Sequence, residues 1–179
     1  MPDYPTSGVC PPVISVFSQF CSASNLVFLA NAVSNGSSFA WPSANRALFV
    51  PIWLPAPFLL KSMFAVNGTT ATGNIDLGVY GVDGSLIASK GSTAQSGTST
   101  LQILSLTTPI ILSPGRYFMA ISASSTSATF IGRTPTTQIL RRFGLLQAAS
   151  QVPLATGPTF ATAASAVLPH FGIAQITTY

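Results

Sequence analysis

Apolar residues in this chain recur at every second position in short runs, and glycine, proline, asparagine or aspartate closes each run. A β-strand with one buried face produces that rhythm, because successive side chains point to opposite sides of a sheet. The stretch NIDLGVYGVDGSLIASKGS (74–92) carries it clearly. Ile75, Leu77 and Val79 share one face, and Leu86 and Ala88 continue the alternation beyond Asp83-Gly84. That dipeptide predicts a two-residue hairpin turn with φ > 0 at both central residues.

Similar runs are NLVFLANAV (25–33), RALFVPIWL (46–54), FLLKSMFAV (58–66), LQILSL (101–106) and PIIL (109–112). Pro51 marks its run as an edge strand or a bulge, since proline cannot donate to a ladder. KGSTAQSGTST (90–100) reads as a polar loop. In SPGRYFMAIS, Pro114-Gly115 fits a type II turn that launches a strand from Arg116 to Ser122, with Tyr117, Met119 and Ile121 facing one way. Many short strands without a strand–helix alternation predict an all-β fold, an antiparallel sandwich or jelly roll. One short helix is expected near 136–149. There Ile139, Leu140, Phe143 and Leu146 or Gln147 keep helical spacing, Thr136 or Thr137 can cap the start, and Arg141 and Arg142 lie outside. The expected organisation is an N-terminal arm with a first strand segment (1–24), then one sandwich domain (25–179). Its charge-free C-terminal tail packs on the domain or on a neighbour.

Charge narrows the function. Only 6% of the 179 residues are charged, against roughly 25% in an ordinary soluble domain. The acidic residues are Asp3, Asp76 and Asp83, with no glutamate, against seven Lys and Arg spread along the chain. Monomers keep a mixed, charged surface for solubility. A chain without one is expected to cover its outside with other subunits, because obligate interfaces resemble a domain core cut in half. Nucleic-acid binders cluster their cations, and here only Arg141 and Arg142 are adjacent, so no nucleic-acid partner is expected. The apolar-leaning stretch 9–33 is broken by Pro, Ser, Asn and Gln well short of about 20 clean residues, which favours buried strands over a membrane span. The first residues, MPDYPTSG, lack the cationic start of a signal peptide. Cys10 and Cys21 are then expected as small, reduced, buried side chains, although they could face each other across a hairpin. Asn35-Gly-Ser and Asn67-Gly-Thr match the glycosylation sequon but read first as turns.

Nothing assembles a catalytic pattern. Paired carboxyls for glycoside cleavage would have to come from Asp3, Asp76 and Asp83, each with a local reading of its own. His170 is the single histidine, without a G-x-S-x-G elbow, and Cys10, Cys21 and His170 lack zinc-site spacing. Phosphate loops are absent. The expectation is no enzyme, no metal and no cofactor. Binding is harder to dismiss: Trp41, Trp53, Tyr80 and Tyr117 are candidate ring platforms for a glycan or partner, but the favoured reading of them is core or interface aromatics with a polar tip. Trp41-Pro42, in a Ser/Asn-rich loop, is the leading contact among them.

The G-V-Y-x-x-D-G hairpin, the S-T-A-Q-S-G-T loop and L-S-P-G-R-Y together resemble small β-sandwich virion proteins of tailed bacteriophages, over about residues 45 to 145. The resemblance implies a non-enzymatic part of a phage particle, a tail fibre or adaptor or a head decoration, assembled in the host cytoplasm. Its partners would be itself, as a trimer or other cyclic homo-oligomer, and other virion proteins. Candidate intersubunit contacts are the arm residues Pro2, Asp3, Tyr4 and Pro5, together with Arg141, Arg142, Phe171 and Tyr179. A carbohydrate- or receptor-binding module at the tip of an appendage is the alternative, with a host-surface glycan as partner.

Overall fold

The computed structural model describes residues 18–21, 26–29 and 36–175. In chain order the strands begin with β1 (Ser18–Cys21), β2 (Leu26–Leu29), β3 (Ser37–Ala40), β4 (Arg46–Leu54) and β5 (Phe58–Val66). β6 (Asn74–Gly81), β7 (Leu86–Ser89), β8 (Thr93–Ala94), β9 (Leu101–Leu112), β10 (Gly115–Ala123) and β11 (Thr129–Arg133) follow. The helix α1 (Thr137–Arg142) precedes β12 (Leu146–Ala148), β13 (Ala161–Thr162), β14 (Leu168–Pro169) and β15 (Phe171–Ala174).

Five strands form one sheet in the order β1-β2-β15-β5-β9, and β13-β12-β4-β10-β6-β7, with β8 beside β6, form the other. A small third sheet, β14-β11-β3, completes an antiparallel, all-β sandwich. A specifically jelly-roll winding does not follow from these orders. β1 and β2 pair within the stretch 9–33, where the patterning predicts strands. Among the described residues no helix is long and apolar enough to cross a membrane.

Period-2 alternation builds the core between the two large sheets. β4 turns Leu48, Val50, Ile52 and Leu54 inward, β6 turns Ile75, Leu77 and Val79, and β10 turns Met119 and Ile121. From the other side come Phe58, Leu60, Met63, Ala65, Leu104 and Ile173. The inward set on β5 changes from even to odd numbers at Lys61, where the register with β9 slips from Leu60↔Ile110 to Ser62↔Ser105. A bulge here is required: one unpaired step flips every later side chain to the other face.

Several local expectations are corrected. In the β6–β7 hairpin only Gly84 has positive φ (+83°), and its N–H bonds the Gly81 carbonyl at 3.1 Å. That is the turn-plus-left-handed-glycine pattern of a three-residue loop, not a two-residue turn with both centres positive. Pro114-Gly115 carries the chain from β9 in one sheet to β10 in the other, with Gly115 at φ 159°, far from the roughly +80° of a type II turn. The helix is shorter than its apolar spacing suggests. Thr136 caps it by accepting from the Ile139 N–H, and Gly144, at φ +74°, ends it so that Leu146 enters β12. Pro51 sits in a central strand, but β12 pairs β4 only as far as Phe49, so the proline needs no donor on that side. Asn67 is fully buried, donating to Ser96 O at 2.6 Å and to Gln102 Oε1 at 2.9 Å and accepting from Gln95 Nε2 at 3.0 Å. It is thus the anchor of the polar loop rather than an exposed turn residue. Asn35 and Cys10 lie outside the described residues.

A second, smaller core lies on the outer face of the β4–β10–β6 sheet. Phe49, Tyr80, Ala120 and Ala148 are covered there by the segment 149–160, which contributes Leu154 and Phe160. Three polar contacts hold this cover. The Asp76 carboxylate accepts from the Leu154 N–H (2.9 Å), the Tyr80 hydroxyl donates to Ala155 O (2.8 Å), and the Gln151 N–H bonds Asn45 O (2.8 Å).

Candidate functional site

The cover stops at Phe160, whose ring packs edge-on against Phe49 with centroids 4.9 Å apart and tilted against Phe118 at 5.6 Å. Beyond it the outer face is bare. Trp53 on β4 is the register partner of Arg116 on β10. Gly81 is the partner of Tyr117, which sets Val82, the next residue, level with Arg116. An indole and a guanidinium thus lie side by side on two strands, and the isopropyl group of Val82 follows in the turn that ends β6, with Trp53 60% and Val82 63% exposed. Pro51 and the half-buried Phe118 form the row behind.

The same end of the sandwich is apolar on its other side. Leu59 on β5 pairs with Ile111 on β9, and Ile111 is 71% exposed. Both pairs lie next to the places where the chain changes sheets, through Pro55 and Pro57 and through Pro114, all exposed. Strand parity produces this arrangement for Trp53, Leu59 and Ile111, which flank the buried Ile52, Leu54, Phe58, Leu60 and Leu112. Aromatic and arginine side chains in one patch are the composition of interface hot spots, where indole area and a weakly hydrated cation are both gained on desolvation.

The two acidic groups among the described residues have local structural partners. Asp83, at the hairpin tip, accepts from Ser85 N and Ser85 Oγ, and these bonds hold its carboxyl below the usual range. Asp76 is fully buried and takes two 2.8 Å contacts from Ser89 Oγ besides the Leu154 N–H; desolvation outweighs these bonds and pushes its pKa up. His170 is half-buried beside Ile131 and Arg133. Its Nε2 has no hydrogen-bond partner among the described residues, and burial followed by the Arg133 charge holds it below the usual histidine value. Among the described residues no three His, Cys, Asp or Glu side chains converge as metal ligands.

The sequence-derived candidates separate into distinct groups. Trp53 alone of the four aromatics presents its ring to solvent. Trp41 is 1% exposed, its indole N–H bonded to Arg46 O (3.1 Å) and its ring edge-on to Phe130, so burial removes the leading contact from the surface. Tyr80 is fully buried against Phe49, and half-buried Tyr117 donates to Ser113 O (2.8 Å). Phe171 lies in the sandwich core, where a neighbour cannot reach it. Arg141 and Arg142 are exposed at the end of α1, and Arg141 Nε donates to Ala163 O (3.2 Å). Pro2, Asp3, Tyr4, Pro5 and Tyr179 lie outside the described residues. Arg116, Val82, Leu59 and Ile111 were not singled out as contacts from the sequence, although their places opposite inward-facing neighbours signal outward side chains. No protein-family model matches the chain, and no curated protein does.

Proposed function

We propose that this protein is a non-enzymatic structural component of a tailed-phage virion, a fibre, adaptor or capsid-decoration subunit, packing through apolar surface against copies of itself and other virion proteins. The observation that supports this most is the exposed apolar end of the sandwich around Trp53, Val82 and Ile111, on a chain with little charge to solubilise it. Burying a side chain such as Ile111 contributes roughly 1.5–3 kcal/mol. Association costs about 4–15 kcal/mol in lost freedom, so one such contact cannot hold a pair. A closed ring gives every subunit two contacts, which favours a trimer or other cyclic assembly.

Size-exclusion chromatography with light scattering tests the self-packing. The full chain is expected at a multiple of 18.5 kDa. Trp53→Asp is expected to shift it to the monomer, and the monomer's own stability, compared where both proteins are dissociated, to change by no more than about 0.5 kcal/mol, as for an ordinary surface position. A wild-type chain that stays monomeric at high concentration overturns the reading. Particle reconstruction, with the sandwich at repeated positions on the virion, tests its place in the assembly. The exposed Trp53 indole favours one second reading, glycan or receptor recognition at an appendage tip, because a sugar face stacks on such a ring. A glycan array with Trp53→Ala as control separates the two.

A further inference from the structure

We propose that the cleft beside the loop joining β12 and β13 binds a sugar acid, with the Arg46 guanidinium holding its carboxylate. The loop leaves β12, covers the outer face of the sheet and returns to β13 beside β12. A cavity of about 490 Å³ remains between this loop, β12 and Arg46. Small-molecule pockets measure roughly 300–1,000 Å³, so a monosaccharide has room. Register brings two polar side chains together here: Gln147 is the partner of Leu48, and Arg46 lies two residues before Leu48 on the same face. The segment after β13 fixes both of them. Arg46 Nη1 donates to Ser165 Oγ (2.7 Å), and Gln147 Oε1 accepts from the Ala164 N–H (3.0 Å). The other guanidinium N–H groups and Gln147 Nε2 have no partner among the described residues.

Charge and shape select the ligand class. Arg46 is the one charged residue that lines the cleft among the described residues. The two described acids are engaged elsewhere, Asp76 with Ser89 and Leu154 and Asp83 with Ser85. A half-buried guanidinium without a carboxylate favours an anion, and its planar fork matches a carboxylate in particular. An amino acid would bring an ammonium group, which no acidic lining residue receives. A nucleotide would bring a base and more than one charge, and the lining holds neither an aromatic ring nor a second cation. A sugar acid brings one carboxylate, several hydroxyls and an apolar C–H face. The Gln147 amide and the exposed Thr159 hydroxyl suit the hydroxyls, and Ala148 and Pro158 suit the C–H face. The site does not rest on self-packing, since Trp53, Val82 and Ile111 are not among its lining residues.

Ligand-observed NMR titration of the full chain with glucuronate tests it, with glucose, acetate and inorganic phosphate as comparison ligands. Glucuronate is expected to bind saturably with a Kd of about 1 mM, ordinary for so small a ligand, and glucose about tenfold more weakly or less. Arg46→Gln removes the charge and keeps a donor for Ser165. Thr159→Glu adds a carboxylate at an exposed lining position and leaves the strands untouched. Each is expected to weaken glucuronate binding about tenfold or more, with circular dichroism confirming the fold. Binding that survives both variants, or a wild type without saturable binding, overturns the site. Acetate or phosphate bound as tightly as glucuronate overturns the ligand class, because the sugar hydroxyls then contribute nothing. Light scattering on the same samples keeps the readings apart: an 18.5 kDa monomer that binds glucuronate removes self-packing and retains the site.

Discussion

Trp41→Ala is expected to lower the unfolding free energy by about 3–5 kcal/mol, the cost of removing a large buried aromatic side chain. Three separate terms add up at this position. The indole is 1% exposed within the main core, so its area returns to water or leaves a cavity. Its edge-on contact with Phe130, centroids 5.2 Å apart, is lost with the ring. Its N–H also satisfies Arg46 O at the first residue of β4, where the loop turns into the central sheet. Against a typical total stability of roughly 5–15 kcal/mol, the loss is about a fifth or more. Urea denaturation of the full chain measures it as a large drop in midpoint with little change in slope. Trp53→Ala, compared alongside at a concentration where the wild type is dissociated, is expected to leave the midpoint nearly unchanged. Equal effects at the two tryptophans would contradict the assignment of one to the core and the other to the exposed end of the sandwich.

The contrast between these tryptophans also shows what was legible in the sequence. Within RALFVPIWL the even positions Leu48, Val50, Ile52 and Leu54 form the inward face, so Trp53 is placed outward by parity alone. Trp41 sits in a loop, where no period applies, and its burial depends on Phe130 and on residues distant in the chain. The same limit explains Phe49 and Tyr80. Parity puts both on the outer face of their sheet, and they are buried only because segment 149–160 folds over them. That segment, ASQVPLATGPTF, has no strand or helix period and betrays its role only through Leu154 and Phe160. The helix was overextended for a related reason: Leu146 keeps helical spacing, but the left-handed Gly144 turns the chain and hands it to β12. Strand patterning is a local signal and was read well; sheet crossings, the bulge at Lys61 and the covered outer face are decided by contacts far apart in sequence. The exposed apolar end falls between these cases, since outward parity is visible in each strand but the proline corners that gather Trp53 and Ile111 at one end are not.

Asp76→Ala is the second large effect, expected at about 2–3 kcal/mol, because it strands the buried Leu154 N–H and the Ser89 hydroxyl without their acceptor. The loss falls on the cover: without that anchor, segment 149–160 keeps only Tyr80, Gln151 and ring packing to hold it on the sheet. Hydrogen exchange is expected to rise first in that segment, ahead of the strands beneath. Asp76→Asn retains an acceptor for Leu154 and discards the charge, so its cost is smaller and its signature is in pH. The folded-state pKa of Asp76 is raised above its ordinary 3.8 by desolvation. The folded protein therefore binds more protons than the unfolded chain in that window, and stability falls as pH rises from about 3.8 through the folded value. His170 acts in the opposite sense. Its folded pKa lies below the ordinary 6.5, so its contribution is complete above that value and is lost as pH falls through the folded one. Urea midpoints from pH 4 to 8 should then lose the Asp76 slope in Asp76→Asn and the His170 slope in His170→Gln, each without disturbing the other. A wild-type profile unchanged by Asp76→Asn would mean that the carboxylate is not desolvated by the cover, and the clamp on Leu154 would lose its physical basis.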